Sequence, residues 1–566
     1  MTTARYSIGV DYGTGSVRAL VVDIDSGAEV GTSVREYAHG HGGVVGDPRD
    51  PECARQHPAD YADGLRHAVR GALADAARHS ALQPSEIVGL GVDTTGSTPL
   101  PIGADGVPLG LRPEFEGELA ALAWLWKDHT SHAEAAEITA RVRRDGLPYL
   151  ETCGGTYSSE WYWAKILRCE RVAPRVARAA ASWVELCDYV PALLTGTGAP
   201  DLLRRGLCAA GHKAMYHERW GGLPSAEFLD RLSPGLSRFR RGYRRPEASH
   251  RVAGLLTAEW ARATGLREGL PVAVGAFDAH LGAVGVGVGP GTLVKIIGTS
   301  TCDCMVAPLD LPVVIPGLCG MAPESVLPGM LGIEAGQSAV GDIFDWFANR
   351  MALHVAATPA ERHATLSREA AALEPGESGL LALDWQNGNR TVLVDPRLTG
   401  LLVGQTLHTT PAEIYRALIE ATAFGARTII ERIEAHGVPV TSITACGGIA
   451  ERSPLVMQIY ADVCGRPIAV SRSPQTCALG AAVMGAVAGG GHADVPTAQR
   501  AMTGLRAERY RPDPARQATY ERLYRMYSTL HDAFGVGGPI DVGGVMKGLL
   551  ALRDEVRGAM RPEAKP

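Results

Sequence analysis

The chain has 566 residues, 46% of them hydrophobic, with a net charge of −6 at neutral pH. That length allows more than one core at ~100–200 residues per domain, and the mild acidity offers no basic field to nucleic acid or an anionic membrane. Eleven cysteines without a CxxC pair, and no run of ~18 apolar residues, argue against a zinc site, a disulfide framework and a membrane span. Reduced thiols in a cytoplasm are the expectation.

Residues 7–30, SIGVDYGTGSVRALVVDIDSGAEV, read as strand, turn and strand, with the turn at Gly13–Ser16. Glycines there let the backbone approach an anion, and successive N–H groups and hydroxyls can cradle phosphate oxygens. Asp11, at the strand end, is placed to orient water on Mg²⁺. Taken alone, the same residues also describe an ordinary tight turn. A helix is predicted over 59–78, followed by a strand at 87–93, IVGLGVD, that runs into TTGS. Trp124 and Trp126 stand two apart in AWLWKDHT and could pack on the carbon face of a ligand or belong to the core. A further helix is predicted over 160–172. Only six of the 55 basic residues are lysine, at 127, 165, 213, 295, 547 and 565. Each interior lysine is therefore of interest, because a compact ammonium is poorly replaced by arginine.

In PVAVGAFDAHLGAVG, residues 271–285, an apolar run ends and Asp278 follows at the apparent start of a helix. Asp is a favoured N-cap, and a carboxylate at the same place can take a proton; the residues by themselves leave both roles open. His280, one turn into that helix, reads as structural, and His212 has no better claim. A boundary is expected near residue 288, in VGVGPGT. Residues 291–308 then repeat the opening pattern, with a second turn at Gly298–Thr301. Two such turns half a chain apart suggest duplicated lobes, 1–287 and 288–566, gripping one triphosphate between Gly13 and Thr14 on one side and Gly298, Thr299 and Ser300 on the other.

Glu334 lies in apolar MLGIEAGQS, where a buried carboxylate requires partners. Helices are predicted over 411–437 and 453–465, with Pro411 and Pro454 near their starts and Gly437 and Gly465 past their ends. The strand at 442–445 runs into CGGIAERS, where Gly447 and Gly448 leave room beside a helix N-terminus for adenosine and its phosphates, or form a plain strand–helix turn. Residues after about 490 read as an accessory helical tail. No GxxxxGK[ST] or dinucleotide GxGxxG motif occurs. Strands mixed with long helices make the class α/β.

Together these passages resemble the FGGY carbohydrate kinases, and within them the bacterial ribulokinases. The resemblance spans almost the whole chain and rests on IGVDYGTGSVRALVVD, LGVDTTGSTPLPI, AWLWKDHT, YSSEWYWAKI, GHKAMYH, VGAFDAHLGAVG, IIGTSTCDCM, LGIEAGQSAVGD and DWQNGNRTVLVDPRLTGLLVG. It implies a two-lobed actin/hexokinase-like fold, each lobe a ribonuclease-H-like mixed sheet flanked by helices, with the active-site cleft between the lobes. It implies ATP and Mg²⁺ as cofactors and phosphorylation of ribulose at O5, as in arabinose breakdown. Carried over, Asp278 would be the catalytic base, and Gly96, Ser97, Lys213, Asp278 and Glu334 would contact the ketopentose. Asp11, Gly13, Thr14, Gly298, Thr299 and Ser300 would hold the phosphates, Asp11 the metal, and Gly447, Gly448 and Met457 the adenosine. GGIAERS departs from the family's glycine triplet with Lys-Ser at the adenine end. Other readings are a xylulokinase-like enzyme, an ATPase of the Hsp70/actin type and a non-catalytic sugar sensor. Small molecules are the expected partners, without nucleic acid or membrane, in a cytoplasmic protein compatible with a homodimer.

Overall fold

The computed structural model describes residues 5–80, 82–243, 245–311, 314–395, 398–536, 552–553 and 555–557, so Lys547 and Lys565 lie outside the described residues. The first sheet comprises β1 (Tyr6–Tyr12), β2 (Ser16–Asp23), β3 (Glu29–Glu36), β4 (Ile87–Thr94), β5 (Val252–Leu255), β6 (Pro271–Ala273) and β7 (Ala276–Phe277). Its order is β5-β6-β4-β1-β2-β3, with β7 beside β4. β1, β2 and β3 are antiparallel neighbours, after which β4 returns parallel to β1 and β6 parallel to β4. Helix α1 (Pro58–His79) accounts for the crossover. Pro58 opens it, and Tyr61, Leu65, Ala68, Val69 and Ala72 form the buried stripe that an amphipathic helix turns to a sheet. The first half also contributes α2 (Tyr162–Val172), α3 (Leu207–Lys213) and α4 (Asp278–Gly285).

The second sheet repeats the plan with β8 (Thr292–Ile297), β9 (Thr301–Pro308), β10 (Gly320–Pro323), β11 (Met330–Ala335), β12 (Ser442–Cys446), β13 (Ile468–Ser471) and β14 (Leu505–Tyr510), in the order β10-β11-β9-β8-β12-β13-β14. Again an antiparallel trio, β8-β9-β11, is followed by parallel β12 and β13. The shared strands of both lobes thus have one connectivity, the duplicated ribonuclease-H-like plan. On this sheet pack α5 (Pro411–Glu434), held at its start by a reciprocal Thr410–Glu413 capping box, and α6 (Pro454–Cys464), closed by left-handed Gly465.

Helix α7 (Thr476–Ala488) belongs to the second half in sequence but lies on the first sheet. A Cβ added at Gly9 would stand 1.7 Å from the Ala478 carbonyl oxygen, and one at Gly91 would stand 1.9 Å from that of Ala481. The same helix crosses α4 backbone to backbone, since a Cβ at Gly480 would stand 1.7 Å from the Leu281 oxygen. The element that starts with Asp278 is therefore fixed by its contact with α7. The described part of the segment after 490, expected to be an accessory tail, is built into the fold. β14 extends the second sheet, and Tyr520, Leu523, Tyr524 and Tyr527 on α8 (Pro514–His531) are buried in the second lobe's core at the spacing of one helix face. Among the described residues no helix is long and apolar enough to cross a membrane.

Candidate active site

A cavity of about 240 Å³ is lined by Gly96, Trp126, Lys213 and Asp278 from the first half and by Gly298, Thr299, Ser300 and Glu334 from the second. It is smaller than the ~300–1,000 Å³ typical of drug-sized pockets and suits a small polar molecule. Asp278 is the first residue of α4. The N-cap is Phe277, and the Asp278 Oδ1 accepts from the Ala279 N–H at 2.7 Å. The expected capping position is thus occupied by its neighbour, because the chain already turns helical at Asp278. Burial, reinforced by the negative charge of Asp11, raises the Asp278 carboxyl to about 7. A carboxyl near neutrality is poised to take a proton at working pH.

Asp11 has a partner that sequence reasoning missed. β1 and β4 are parallel and in register, and Asp11 pairs with Asp93, so two carboxyls meet at adjacent strand ends. Asp93 is fully buried, and among the described residues neither of its oxygens has a hydrogen-bond donor. Burial, with Asp11 and Asp278 nearby, pushes Asp93 well above the usual carboxylate range, and burial raises Asp11 as well. Arg18 lies 3.7 Å from Asp11. An oxygen-rich, undersupplied acidic pair of this kind fits a hard divalent cation such as Mg²⁺. The signal was present in the sequence, since GVD-Tyr-Gly and GVD-Thr-Thr-Gly end both strands in the same way.

The two hairpin turns are braced from behind. Gly13 N–H donates to the Ser16 oxygen at 3.0 Å, Trp126 Nε1–H to the Thr14 hydroxyl at 3.1 Å, and Gln56 Nε2–H to the Thr14 carbonyl at 2.8 Å. In the second turn Gly298 N–H donates to the Ser300 oxygen at 2.9 Å, and Val340 N–H to that of Thr299 at 2.8 Å. Gly447, at a φ of 92°, lies against the end of β8, where a Cβ would stand 2.6 Å from the Ile297 oxygen, and Gly448 opens the short helix Gly448–Arg452. Met457, expected beside adenosine, is instead fully buried in the second lobe's core.

On the opposite side of the cavity, Lys213 ends α3 and its Nζ lies 3.0 Å from both oxygens of Glu334 on β11. Burial opposes both charges, yet each holds the other: Lys213 is raised and Glu334 is driven well below the usual carboxylate range. His212 Nδ1 is 3.3 Å and His280 Nε2 3.6 Å from the same Glu334 oxygen. Ser97, expected to donate into the site, is turned away from it. Its hydroxyl donates to the Glu185 carboxylate within the wall, and Thr98 N–H reaches the other Glu185 oxygen at 2.8 Å. Lys165 on α2 secures this wall, donating to the carbonyls of Ser97, Trp124 and Leu125 at 2.8, 3.2 and 2.9 Å. Trp124 is a core residue with Arg55 stacked 3.6 Å from its ring centroid, whereas Trp126 reaches the cavity. Arg390, from the DWQNGNR passage, also lines the cavity and was not singled out as a site residue.

Residues 293–489 match the C-terminal domain model of the FGGY family of carbohydrate kinases. The chain is 42% identical over 547 residues to the ribulokinase of Vibrio parahaemolyticus, covering 94% of this chain and 96% of that one. It is also 42% identical over 552 residues to the ribulokinase of Mycolicibacterium smegmatis, with 95% of each covered. Among solved structures, the xylulose kinase of Rhodospirillum rubrum superimposes with a TM-score of 0.77 at 26% identity, covering 94% of this chain and 99% of that one.

Proposed function

Since the chain belongs to the FGGY family of carbohydrate kinases, we propose that it transfers the γ-phosphoryl group of ATP to O5 of ribulose, with L-ribulose the preferred ketopentose and L-ribulose 5-phosphate the product. The observation that carries this reading is the position of Asp278. Its carboxyl, raised to about 7, lines one small cavity together with the second phosphate turn and the Lys213–Glu334 pair. The ribulokinase names of the long relatives supply the choice of sugar.

In this reading Lys213 and Glu334 orient the sugar through its hydroxyls and carbonyl, and O5 faces Asp278. Asp278 accepts the O5 proton as that oxygen bonds to the γ-phosphorus and the bond to the β,γ-bridging oxygen breaks, leaving ADP. Phosphoryl transfer asks of the protein mainly positioning and charge stabilisation. The N–H groups and hydroxyls of Gly13, Thr14, Gly298, Thr299 and Ser300 supply donors to the phosphates. Mg²⁺ would be held by Asp11 and Asp93 and would offset phosphate charge. Closure of the lobes about the α4–α7 crossing would exclude water, which otherwise competes as acceptor. Eleven free cysteines accord with a reducing, cytoplasmic setting.

The test is a panel of L- and D-ribulose, L- and D-xylulose, ribitol and glycerol, read by ADP release and by the position of phosphate in the product. The expected result is highest kcat/KM for L-ribulose, with phosphate on O5. ATP turnover unaffected by any acceptor, or a clear preference for xylulose, would overturn it.

A further inference from the structure

His280 is read from sequence as a structural residue, but its surroundings do not support that. It is almost wholly buried, its side chain only 2% exposed, and neither ring nitrogen has a hydrogen-bond partner among the described residues. A satisfied core histidine would have found at least one, since buried polar groups are nearly always paired. The ring lines the same cavity as Asp278, Lys213 and Glu334, with Nε2 3.6 Å from Glu334 Oε2, just beyond a direct hydrogen bond. His212 differs: its Nε2 lies 2.9 Å from the Ser325 hydroxyl, and a Cβ on Gly320 would meet its Nδ1 at 2.0 Å, so that ring is anchored and walled off. His212 Nδ1 is also unpaired among the described residues, but His212 does not line the cavity, so the unsatisfied ring at the cavity is that of His280.

We infer that His280 is a sugar-reading residue, hydrogen-bonding a hydroxyl of the acceptor that Glu334 also binds. This rests on the sugar-kinase reading of the cavity. A neutral imidazole carries one donor and one acceptor, so it can pair with a hydroxyl in either direction. Burial holds His280 neutral, down to about 4. A hydroxyl in the gap can donate to Glu334 and accept from, or donate to, the ring, satisfying both protein groups at once. A site whose polar groups are left unpaired by an analogue lacking the hydroxyl rejects that analogue strongly. His280 is thus placed to discriminate among acceptors by the presence and configuration of one hydroxyl. The alternative occupant is a divalent cation, since His212, His280 and Glu334 have ligand atoms within 4.8 Å of one another. The Lys213 ammonium, 3.0 Å from both Glu334 oxygens, repels a cation there and favours the hydroxyl.

The experiment compares His280→Leu, His280→Asn and His280→Gln with the wild type, using the acceptor that the wild type prefers in the panel and a deoxy analogue of it. In His280→Leu the KM for that acceptor should rise about 10-fold, the order of one lost buried hydrogen bond, with an unchanged KM for ATP. The preference for the parent acceptor over the deoxy analogue should collapse in the same variant. Gln or Asn, which return an amide near Nε2 or Nδ1, should restore part of that preference, and this comparison stands if the Leu variant does not fold. An unchanged acceptor KM and deoxy preference in His280→Leu, or in both amide variants and the wild type alike with no deoxy discrimination, overturns the inference. Stoichiometric Zn²⁺ binding to the wild type that is lost in His280→Leu and blocks the acceptor also overturns it. Because the acceptor is chosen by the wild type, a preference for something other than ribulose contradicts the proposed function while leaving this test intact.

Discussion

The Lys213 ammonium stands 3.0 Å from both oxygens of Glu334, although the two residues are 121 apart in sequence and come from the two halves of the chain. Both are buried. The pair therefore ties the end of α3 to β11 at the cavity where Asp278 also lies. Removing one partner leaves an uncompensated buried charge, which costs roughly 3–5 kcal/mol, whereas replacing both with apolar groups can be neutral. Lys213→Met should lower the Tm markedly and reduce kcat/KM for ribulose by about 10–100-fold, the effect of a lost charged hydrogen bond, with the KM for ATP unchanged. The double variant Lys213→Met/Glu334→Leu should recover the Tm without recovering sugar use. Thermal unfolding and steady-state kinetics on the three proteins check both statements.

The two turns proposed to hold the phosphates also come from separate halves, β1–β2 and β8–β9. Sugar and nucleotide should therefore favour the same closed arrangement, and each should tighten binding of the other by the same factor. Calorimetric titration of a non-hydrolysable ATP analogue should give a lower Kd with saturating ribulose than without it. Equal values would show that the lobes are not coupled.

Asp93 yields a prediction in which stability and activity move in opposite directions. Its carboxyl is held well above the ordinary range, first by burial and then by Asp11 and Asp278. A carboxyl raised on folding opposes folding increasingly as pH climbs past its unfolded value. Asp93→Asn should therefore raise the Tm, more at neutral and alkaline pH than at acid pH. The same variant should need about 10–100-fold more Mg²⁺ for half-maximal activity, the usual effect of altering a metal's protein environment. Melting curves across pH and a Mg²⁺ titration at fixed ATP measure the two effects.

The sequence made some of these features legible and hid others for identifiable reasons. The strand–turn–strand repeat was readable because alternating β-branched runs and Gly-Thr turns are local signals, and both sheets are built on it. Glu334 was recognisably in need of partners, but Lys213 and the two histidines reach it only through tertiary packing. Ser97 and Met457 were placed by motif alone, and motif does not say which way a side chain turns. The buried Glu185 draws the Ser97 hydroxyl into the wall, and the apolar face of α6 carries Met457 into the core. Asp93 escaped because its significance lies in the register of β4 against β1, which no single stretch of sequence displays.

The pH dependence of the wild type follows from Asp278. A general base acts as its carboxylate, so activity should be lost as pH falls through the carboxyl's value and reach a plateau above it. With that carboxyl raised to about 7 by burial and Asp11, kcat/KM for ribulose should show an acid limb centred near 7. A flat profile between pH 5 and about 8 would contradict this assignment, since an ordinary carboxyl of ~4 would already be ionised throughout.

The most direct test of the account is the turnover number of Asp278→Asn, measured with its melting temperature. Asn keeps the shape of the side chain and an oxygen able to accept from the Ala279 N–H, the contact that Asp278 makes at 2.7 Å. It cannot take a proton, and a positioned general base contributes roughly 10²–10⁴ in rate. The account predicts a folded protein with a Tm close to that of the wild type and a kcat for ribulose reduced by at least about two decades. An Asn variant that melts like the wild type and phosphorylates ribulose at the wild-type rate would show that Asp278 supports the helix and moves no proton.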